Sequence, residues 1–390
     1  MPHAYALAVE AATTVLTVAG MGYLAAAWVA ARIFLLERRR PALVFTPGVS
    51  ILKSLKGLDP GMLDAFRTHC RQDYAGEYEI LFGVSSMDDP AVPAVLTLQR
   101  EFPQRAILLV ECPHVLGTNG KVSTLAQLLP HARHDFLLIN DSDIAVSPHY
   151  LTRILAGFAQ PPENPPVGLV TALYRGRAHA TLPARLEALG IATDFQPSVL
   201  LAKLIERGLR YGLGSTLAVR RQALDAIGGF AALANQLADD YELGARIAHA
   251  GYRVVLSTEV VETAIPAYTW RGFFDHQLRW LRTVRDARPG GYAGLVFTHA
   301  FAWALLNAVA SGLSPFSFWL LALCFFLRLT VAMTVGAAVL ADRQVLPSLL
   351  LLPLRDVLAM AFWIAGFAGN TIVWRGQRFT VHKGRLHPAA

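Results

Sequence analysis

The sequence predicts an α/β domain with a mostly parallel sheet, flanked by helices that cross a membrane. Of its 390 residues, 54% are hydrophobic and only 16% are charged, and the mean hydropathy is +0.39. Charge-free apolar stretches lie near both ends, whereas the region between them holds most of the charge and alternates strand-like with helix-like segments. This composition excludes a disordered chain and argues against an ordinary soluble enzyme, because so much apolar surface must be removed from water. The length suits two globular domains, or one domain of ~250 residues with membrane helices.

The first apolar stretch predicts a membrane anchor over residues 1–36. Residues 11–31 carry no charge, and ~20 such residues suffice to cross the hydrocarbon core. A cleaved signal peptide is the alternative, but it carries its positive charges before the apolar run, whereas Arg38, Arg39 and Arg40 follow it here. The positive-inside rule then places residues 37–290 in the cytoplasm.

A second apolar region predicts a C-terminal membrane domain over residues 291–374. Its first part carries no Asp, Glu, Lys or Arg from Pro289 to Leu327, and a Ser-Gly-Leu-Ser-Pro break divides it into spans of about 293–313 and 316–341. Arg328 falls inside the second span. An ionisable residue at that depth usually faces a polar cavity or reaches the interface.

The third apolar stretch, about 346–374, is interrupted by a proline and by Arg355 and Asp356. It is a span or a re-entrant segment, and we favour two C-terminal spans followed by a re-entrant segment. The alternation of residues 371–381 around an Arg-Gly pair predicts a short hairpin. A basic tail over residues 375–390 also favours the cytoplasmic side.

The charge and cysteine content narrow the possible partners. The net charge is +7, which is better explained by positive flanks of membrane helices than by nucleic-acid binding. Three cysteines, Cys70, Cys112 and Cys324, have no paired spacing that indicates zinc or a disulfide framework. A cytoplasmic polar domain in a reducing compartment fits them.

The polar middle of the chain predicts the sheet. Apolar runs that alternate with helices are typical of a mostly parallel sheet covered on both faces, and such sheets bind ligands beyond the carboxyl ends of their strands. The strand-like runs are 49–55, 78–84, 106–110, 136–139, 167–173 and 253–257. The helix-like segments are 61–70, 91–101, 121–129 and 148–159.

Two predicted strands end in carboxylates. Residues 78–84 lead to Asp88 and Asp89, and residues 136–139 lead to Asp141 and Asp143. Carboxylates at i and i+2 suit Mg²⁺ or Mn²⁺ bridging a diphosphate, because these cations prefer oxygen ligands. The alternative for either pair is a turn-forming role. Two acidic clusters on one sheet edge favour a nucleotide-sugar site.

Two further clusters carry candidate chemistry. Asp239 and Asp240 open a helical pattern, where one can cap the helix while the other acts as a base. Residues 270–282 are rich in aromatic residues and cations, which suits an amphipathic helix at the membrane interface. Within it, Arg279 and Trp280 could also contact the diphosphate and the acceptor.

Together these residues resemble a family 2/21-type membrane glycosyltransferase, most similar to the ceramide glucosyltransferase group and its bacterial branch associated with hopanoid synthesis. The resemblance covers about 47–381 and rests on three separated aspartates followed by a (Q/R)xxRW motif ahead of a membrane helix. Short segments around Pro47, Leu55, Gly120 and Trp374 add to it. One position departs from the pattern, because His276 stands where Gln or Arg is expected.

The resemblance implies a GT-A-type (Rossmann-like) fold, a UDP-sugar donor and a direct displacement with inversion. It makes Asp240 the catalytic base, with Arg279 and Trp280 as the catalytic arginine–tryptophan pair. A Mg²⁺ or Mn²⁺ ion would be held by metal ligands in the acidic loop. Donor contacts would come from the first aspartate, a lysine and the start of the motif. The metal ligands are Asp141 and Asp143; the donor-binding residues are Asp89, Asp141, Lys121, His276 and Gln277.

The acceptor implied is a lipid hydroxyl at the cytoplasmic face. Bacteriohopanetetrol with UDP-N-acetylglucosamine and ceramide with UDP-glucose both remain open, and the Ala- and Arg-rich composition favours the bacterial branch. The apolar stretch 182–213 either lines the acceptor's entry or belongs to the core. A processive polysaccharide synthase and a non-catalytic lipid-binding protein are the rival interpretations. The expected location is a bacterial inner membrane.

Overall fold

A computed structural model gives the fold and describes residues 2–41, 43–159, 165–374, 377–382 and 384–388. The chain forms two compact units. The helical unit comprises Met1–Glu37, Gly176–Leu204 and Ile265–Phe379; the sheet unit comprises Arg38–Arg175, Ile205–Ala264 and Thr380–Ala390. In this division the apolar segment Gly176–Leu204 groups with the other apolar helices, while the domain bounds expected from the sequence stay a prediction.

The sheet unit is built on eight strands. In chain order they are β1 Val49–Ser54, β2 Tyr78–Val84, β3 Ala106–Glu111, β4 Phe136–Ile139, β5 Ile144–Ala145, β6 Val167–Ala178, β7 Leu217–Arg220 and β8 Arg253–Ile265. Their order in the sheet is β3-β2-β1-β4-β7-β6-β8-β5. β1 to β4 are parallel, whereas β7 is antiparallel to both β4 and β6, and β5 is antiparallel to β8.

The predicted fold class is confirmed, with a mixed rather than uniform sheet. β1 and β2 are almost entirely buried and mainly apolar, although Ser50, Lys53 and Glu79 interrupt their apolar runs, whereas the residues of the edge strand β3 are exposed or half-buried. β8 runs to Ile265, beyond the predicted end at Ser257, because β-branched residues continue past a Ser-Thr pair. The two-residue strand β5 is too short for a pattern to reveal.

The α-helices cover the sheet and build the helical unit. In chain order they are α1 Pro2–Arg38, α2 Met62–Cys70, α3 Val92–Glu101, α4 Gly120–Leu128, α5 Tyr150–Leu155, α6 Leu182–Gly190, α7 Gln196–Ile205, α8 Arg221–Asp225, α9 Asp239–His249, α10 Trp270–Ala287, α11 Pro289–Gly294, α12 Ala300–Ala310, α13 Pro315–Val331, α14 Val345–Ser348 and α15 Leu352–Gly366. The four helices predicted between the strands are present as α2 to α5.

Within the described ranges, four helices are long and apolar enough to cross a membrane. They are Leu7–Arg38, Leu182–Ile205, Pro315–Val339 and Val345–Gly366. The span expected at 293–313 coincides with a helix pair, Pro289–Thr298 and Ala300–Ala310, which is bent by 55° at the break and is either a broken span or a re-entrant loop. The sequence did not single out Leu182–Ile205 as a span, because four charged residues interrupt its apolar pattern.

Three short strands follow the last helix. They are β9 Thr371–Trp374, β10 Gln377–His382 and β11 Arg385–Pro388, in the order β11-β10-β9. The strands on either side of the predicted hairpin turn are therefore present. The turn itself, Arg375 and Gly376, lies outside the described residues, as do Lys383 and the last two residues of the predicted basic tail.

Candidate active site

The acidic loop after β4 is fixed by buried polar contacts. The buried Asn140 side chain donates hydrogen bonds to the Tyr150 hydroxyl at 2.9 Å and to the Ser215 carbonyl at 2.7 Å. The next residue is held through its backbone, since Lys53 of β1 donates from Nζ to the Asp141 carbonyl at 3.2 Å. The loop therefore presents the Asp141 side chain from a rigid strand end.

Lys121, in the first turn of α4, joins two of the predicted aspartates. Its Nζ lies 2.7 Å from Asp141 Oδ1 and 3.5 Å from Asp239 Oδ2. Asn119 caps α4 by accepting a bond from the Val122 amide at 3.2 Å, and it donates from Nδ2 to Asp239 Oδ1 at 3.2 Å. Carboxylates separated by nearly 100 residues thus meet around one ammonium group.

Asp240 lies beside this pair, in the first turn of α9. Its Oδ2 accepts a hydrogen bond from the Gly214 amide and its Oδ1 one from the Tyr241 amide, both at 2.8 Å. Burial raises the pKa of Asp240 to about 6, and the negative charge of Asp239 adds to this, whereas Lys121 opposes it. A carboxylate with a pKa of about 6 is well matched to proton transfer near neutral pH.

The aspartates do not cap α9 as the sequence allowed. The cap position is Ala238, and no side chain caps the helix end there. Asp239 and Asp240 lie within the first turn, where the positive end of the helix dipole favours carboxylates.

The side chain of Asp143 is less accessible to water than that of Asp141. Burial raises the pKa of Asp143, and the charge of Asp141 raises it further, while the Thr263 hydroxyl donates a hydrogen bond to its Oδ2 and opposes the rise. Between them, the Ser142 hydroxyl donates to Asp59 Oδ2 and ties this loop to the loop after β1. The Asp141 side chain, in contrast, is 47% exposed and accessible to a ligand.

Gly214 provides a direct test of this geometry. A Cβ atom at position 214 would lie 2.9 Å from Asp240 Oδ2 and 3.6 Å from Asp141 Oδ2. We expect Gly214→Ala to displace the Asp240 carboxylate and to lower kcat roughly 10-fold or more for the sugar transfer that the resemblance implies, since small misplacements of a catalytic group are costly. Steady-state rates measure this. Gly120→Ala is the matched control, because a Cβ there meets no atom of the described residues within 4 Å; equal activity in the two variants would contradict the geometry.

The first predicted aspartate has a different environment. Asp89 follows β2 and accepts hydrogen bonds from the Gly57 amide at 2.9 Å and from the Ala91 amide at 2.9 Å. It thereby connects the loop after β1 with the start of α3. β2 and β4 are parallel strands separated by β1, so Asp89 and Asp141 lie on the same edge of the sheet.

The motif residues lie on α10, in the helical unit. His276 Nδ1 is 3.1 Å from Glu187 Oε1, and Gln277 Nε2 donates to Glu187 Oε2 at 2.6 Å. Glu187 of α6 is buried, so the two neighbouring motif residues share one carboxylate although they point in different directions on the helix. The Trp280 ring lies 5.1 Å from the Phe195 ring.

Comparison with known proteins identifies the family. The sequence model of glycosyl transferase family 21 matches residues 12–387. The chain belongs to this family. It is accordingly a glycosyltransferase, and the resemblance drawn from the aspartates and the arginine–tryptophan motif is confirmed.

Curated relatives of this family 21 member are ceramide glucosyltransferases. The chain is 24% identical over 236 residues to ceramide glucosyltransferase 3 of Caenorhabditis elegans, which covers 60% of this chain and 50% of the relative. It is 30% identical over 115 residues to the ceramide glucosyltransferase of Candida albicans, covering 27% of this chain and 21% of the relative. The chain spans about half the length of the nematode enzymes it matches.

A solved structure supports the GT-A fold. The mannosyltransferase PcManGT from Pyrobaculum calidifontis, solved with GDP-Man and Mn²⁺, matches with a TM-score of 0.54 at 22% identity. The alignment covers 92% of this chain and 97% of that one. This likeness concerns the fold of the family 21 chain alone.

The residues present fit the divalent cation that the family resemblance implies. Among the described residues no group of three or more His, Cys, Asp or Glu side chains is arranged to hold a metal. Asp141 and Asp143 supply hard oxygen donors, and a cation of this kind commonly completes its shell with phosphate oxygens and water. In the structure, Lys121 Nζ donates a hydrogen bond to Asp141 Oδ1, so this oxygen faces a positive charge.

Sequence reasoning missed Lys53. This side chain is fully buried, and burial lowers its pKa to about 7, although the charges of Asp141 and Asp143 oppose the shift. Its signal was a lysine in the middle of an apolar strand, which a buried functional partner can explain. The roles of Asn119 and Gly214 were also missed, because each depends on a loop far away in the chain.

Proposed function

We propose that this family 21 glycosyltransferase moves a sugar from a UDP-linked donor to a hydroxyl of a membrane lipid, with inversion at the anomeric carbon. The observation that carries the proposal is the convergence of Asp141, Lys121 and Asp240 at the carboxyl edge of the sheet. Nucleotide sugars bind at such edges in open α/β folds. The ceramide glucosyltransferase relatives support a lipid acceptor.

The chemistry needs a base for the acceptor. Asp240 Oδ2 takes the proton of the acceptor hydroxyl as its oxygen attacks the anomeric carbon and the bond from that carbon to the diphosphate oxygen breaks. The nucleoside diphosphate leaves with the electron pair of that bond. One displacement from the face opposite the leaving group inverts the anomeric configuration.

The leaving diphosphate needs positive charge. Asp141 and Asp143 would hold Mg²⁺ or Mn²⁺, and such a cation, when bound, neutralises charge that develops on the leaving group. Lys121 is poised to turn from Asp141 towards the phosphates, and Arg279 is the second candidate for a phosphate contact. Asp89 is assigned to the nucleoside, His276 and Gln277 to positioning at the donor side, and Trp280 to the acceptor.

The acceptor and location complete the proposal. The lipid is a polyol of the bacteriohopanetetrol kind with UDP-N-acetylglucosamine, or ceramide with UDP-glucose. The candidate membrane helices support an integral membrane protein, and the arginines after the first helix support a cytoplasmic sheet unit. The membrane is then a bacterial inner membrane, which the Ala- and Arg-rich composition favours.

The test is incubation of the purified full-length protein with labelled UDP-glucose and UDP-N-acetylglucosamine in the presence of a lipid panel. The panel holds ceramide, bacteriohopanetetrol and phosphatidylglycerol, and products are identified by mass spectrometry. A glycolipid from one donor and one neutral lipid supports the proposal. Release of UDP with no glycolipid, or a long polysaccharide product, would overturn it.

The pH dependence follows from the Asp240 carboxyl. Because the base must be ionised, kcat/KM should rise as pH rises through about 6 and level off above it, falling about tenfold per pH unit on the acid side. Initial rates from about pH 5 to pH 8 at saturating metal check this. An activity that stays constant down to pH 5 would remove Asp240 as the base.

A further inference from the structure

The helical unit contains a cluster of charges inside its apolar interior. Arg328 of α13 donates from Nε to Asp356 Oδ2 at 2.9 Å and from Nη2 to Asp356 Oδ1 at 2.7 Å. Nη2 also binds Asp194, which lies in the π-helical turn Ile191–Phe195 between α6 and α7. Arg328, at 4% exposure, is thereby paired twice. This outcome agrees with the expectation that an ionisable residue at this depth faces polar groups.

Arg355 extends the cluster and is only partly satisfied. Its Nη2 lies 3.2 Å from Asp194 Oδ2 and 3.4 Å from Gln277 Oε1. Its Nε and Nη1, although buried, have no hydrogen-bond partner among the described residues. The guanidinium lies against Gly190, where a Cβ would come within 2.3 Å of Nε. Arg355, which is 93% buried, therefore holds two donors without an acceptor in the part of the chain that the structure describes.

Two uncharged side chains near the cluster also carry a buried polar atom that lacks a hydrogen-bond partner among the described residues. The Tyr23 hydroxyl and His299 Nε2 are buried without a hydrogen-bond partner in the described part of the chain. Both side chains interact electrostatically with Asp194 and Arg328. His299 stands at the 55° break between two helices, where non-helical backbone in a membrane usually lines a binding site or a cavity.

The packing of α1 supports the position of Tyr23 near the charge cluster. Gly20 lies so close to Ala300 that a Cβ at position 20 would come within 2.6 Å of the Ala300 Cβ. Tyr23 lies three residues further along the same face of α1. The His299 ring lies 5.4 Å from the Trp363 ring of α15.

The buried polar atoms that lack a hydrogen-bond partner indicate the chemistry of the ligand. Leaving a buried polar atom without a partner costs ~1–3 kcal/mol, so several such atoms in one region indicate a partner from outside the chain. The two arginines are balanced by Asp194 and Asp356, so no anionic group is required. The free positions mix donors on Arg355, a donor–acceptor hydroxyl on Tyr23 and a ring nitrogen on His299, which suits hydroxyl or amide groups.

The cluster is also continuous with the arginine–tryptophan motif. Arg355 reaches Gln277, Gln277 reaches Glu187, and Glu187 reaches His276. Phe195, next to Asp194, packs against Trp280. The residues around Asp194 therefore belong to the same packed neighbourhood as the motif helix α10.

We propose that Tyr23, His299, Arg355 and Asp194 form a subsite for the polar end of a neutral lipid that carries several hydroxyl or amide groups. This inference rests on the proposed function, because the lipid is taken to be the sugar acceptor. The subsite binds the polar groups that do not react, and so selects neutral polyhydroxylated lipids over anionic phospholipids.

Tyr23→Phe and His299→Phe test the subsite. Each removes an unpartnered polar atom, so a purely structural role predicts no loss of thermal stability and no change in lipid affinity. The subsite predicts instead that binding of bacteriohopanetetrol or ceramide, measured by native mass spectrometry of the full-length protein in neutral detergent, weakens about 10-fold, the loss of one hydrogen bond. Binding of phosphatidylglycerol should not change.

Tyr292→Phe is the matched control. The Tyr292 hydroxyl is in the same unit but already donates to the Trp363 carbonyl at 2.6 Å, so its removal should lower thermal stability without changing lipid affinity. Unchanged affinity for both neutral lipids in both test variants would overturn the subsite. Weakened binding with no sugar transfer to any lipid would leave the subsite standing and would count against the proposed function alone.

Discussion

Asp240→Asn should abolish sugar transfer and leave donor binding largely intact. The asparagine side chain keeps the size of the aspartate and can still accept a hydrogen bond from Gly214 or Tyr241, but it cannot take a proton from the acceptor. Loss of a general base typically lowers kcat roughly 10²–10⁴-fold. Rates with labelled donor and the preferred lipid measure the effect, and calorimetric titration with UDP measures donor binding.

The control for this variant is Asp135→Asn. Asp135 belongs to the same unit, its side chain is 84% exposed, and it lies 3.9 Å from Arg221 in a surface ion pair. Such a pair contributes little to stability, so the control should retain wild-type rates and wild-type unfolding. If Asp240→Asn turned over at a near-normal rate while folded, another group would have to be the base.

Asp141→Asn should instead remove metal-dependent donor binding. An amide oxygen is a weaker ligand for Mg²⁺ or Mn²⁺ than a carboxylate, and the substitution also releases Lys121 from its 2.7 Å contact. We expect the affinity for UDP in the presence of Mn²⁺ to fall together with kcat, by roughly 10²-fold or more in kcat/KM. The two aspartate variants thus separate the base from the metal ligand.

The same titration with and without Mn²⁺ checks the assignment. In the wild-type protein, UDP binding should depend on the cation, and in Asp141→Asn that dependence should be lost. Asp240→Asn should keep it. A variant at Asp141 that binds UDP in Mn²⁺ as tightly as the wild-type protein would show that the cation is held elsewhere or is not used.

Much of the fold could be predicted because local patterns and the tertiary structure agree. β1, β2 and β4 are almost entirely buried, and their mainly apolar runs identify them. The helices between them show apolar residues at helical spacing. The sequence did not predict features that leave no local signal. An example is the bend in the helix pair around His299, because the residues at its break include no charged residue and no proline.

The candidate site was predictable in kind but not in arrangement. A carboxylate pair after a strand can be found from spacing alone, and so Asp141 and Asp143 were named. The contact of Lys53 with the Asp141 carbonyl spans 88 positions, and the bond from Gly214 to Asp240 joins a loop to the first turn of α9. Spacing along the chain contains no information about such contacts, because they depend on how strands are ordered in the sheet.

The sequence by itself determined the alternating α/β pattern, the apolar character of the terminal regions and the family, because each of these is a property of neighbouring residues. Only the tertiary structure decided that Lys121 lies between Asp141 and Asp239, that burial makes Asp240 a weaker acid, and that Arg355 points two donors into an apolar interior. The reason is physical: ionisation and hydrogen bonding depend on distance and solvent exclusion, and both are set by residues far apart in the chain.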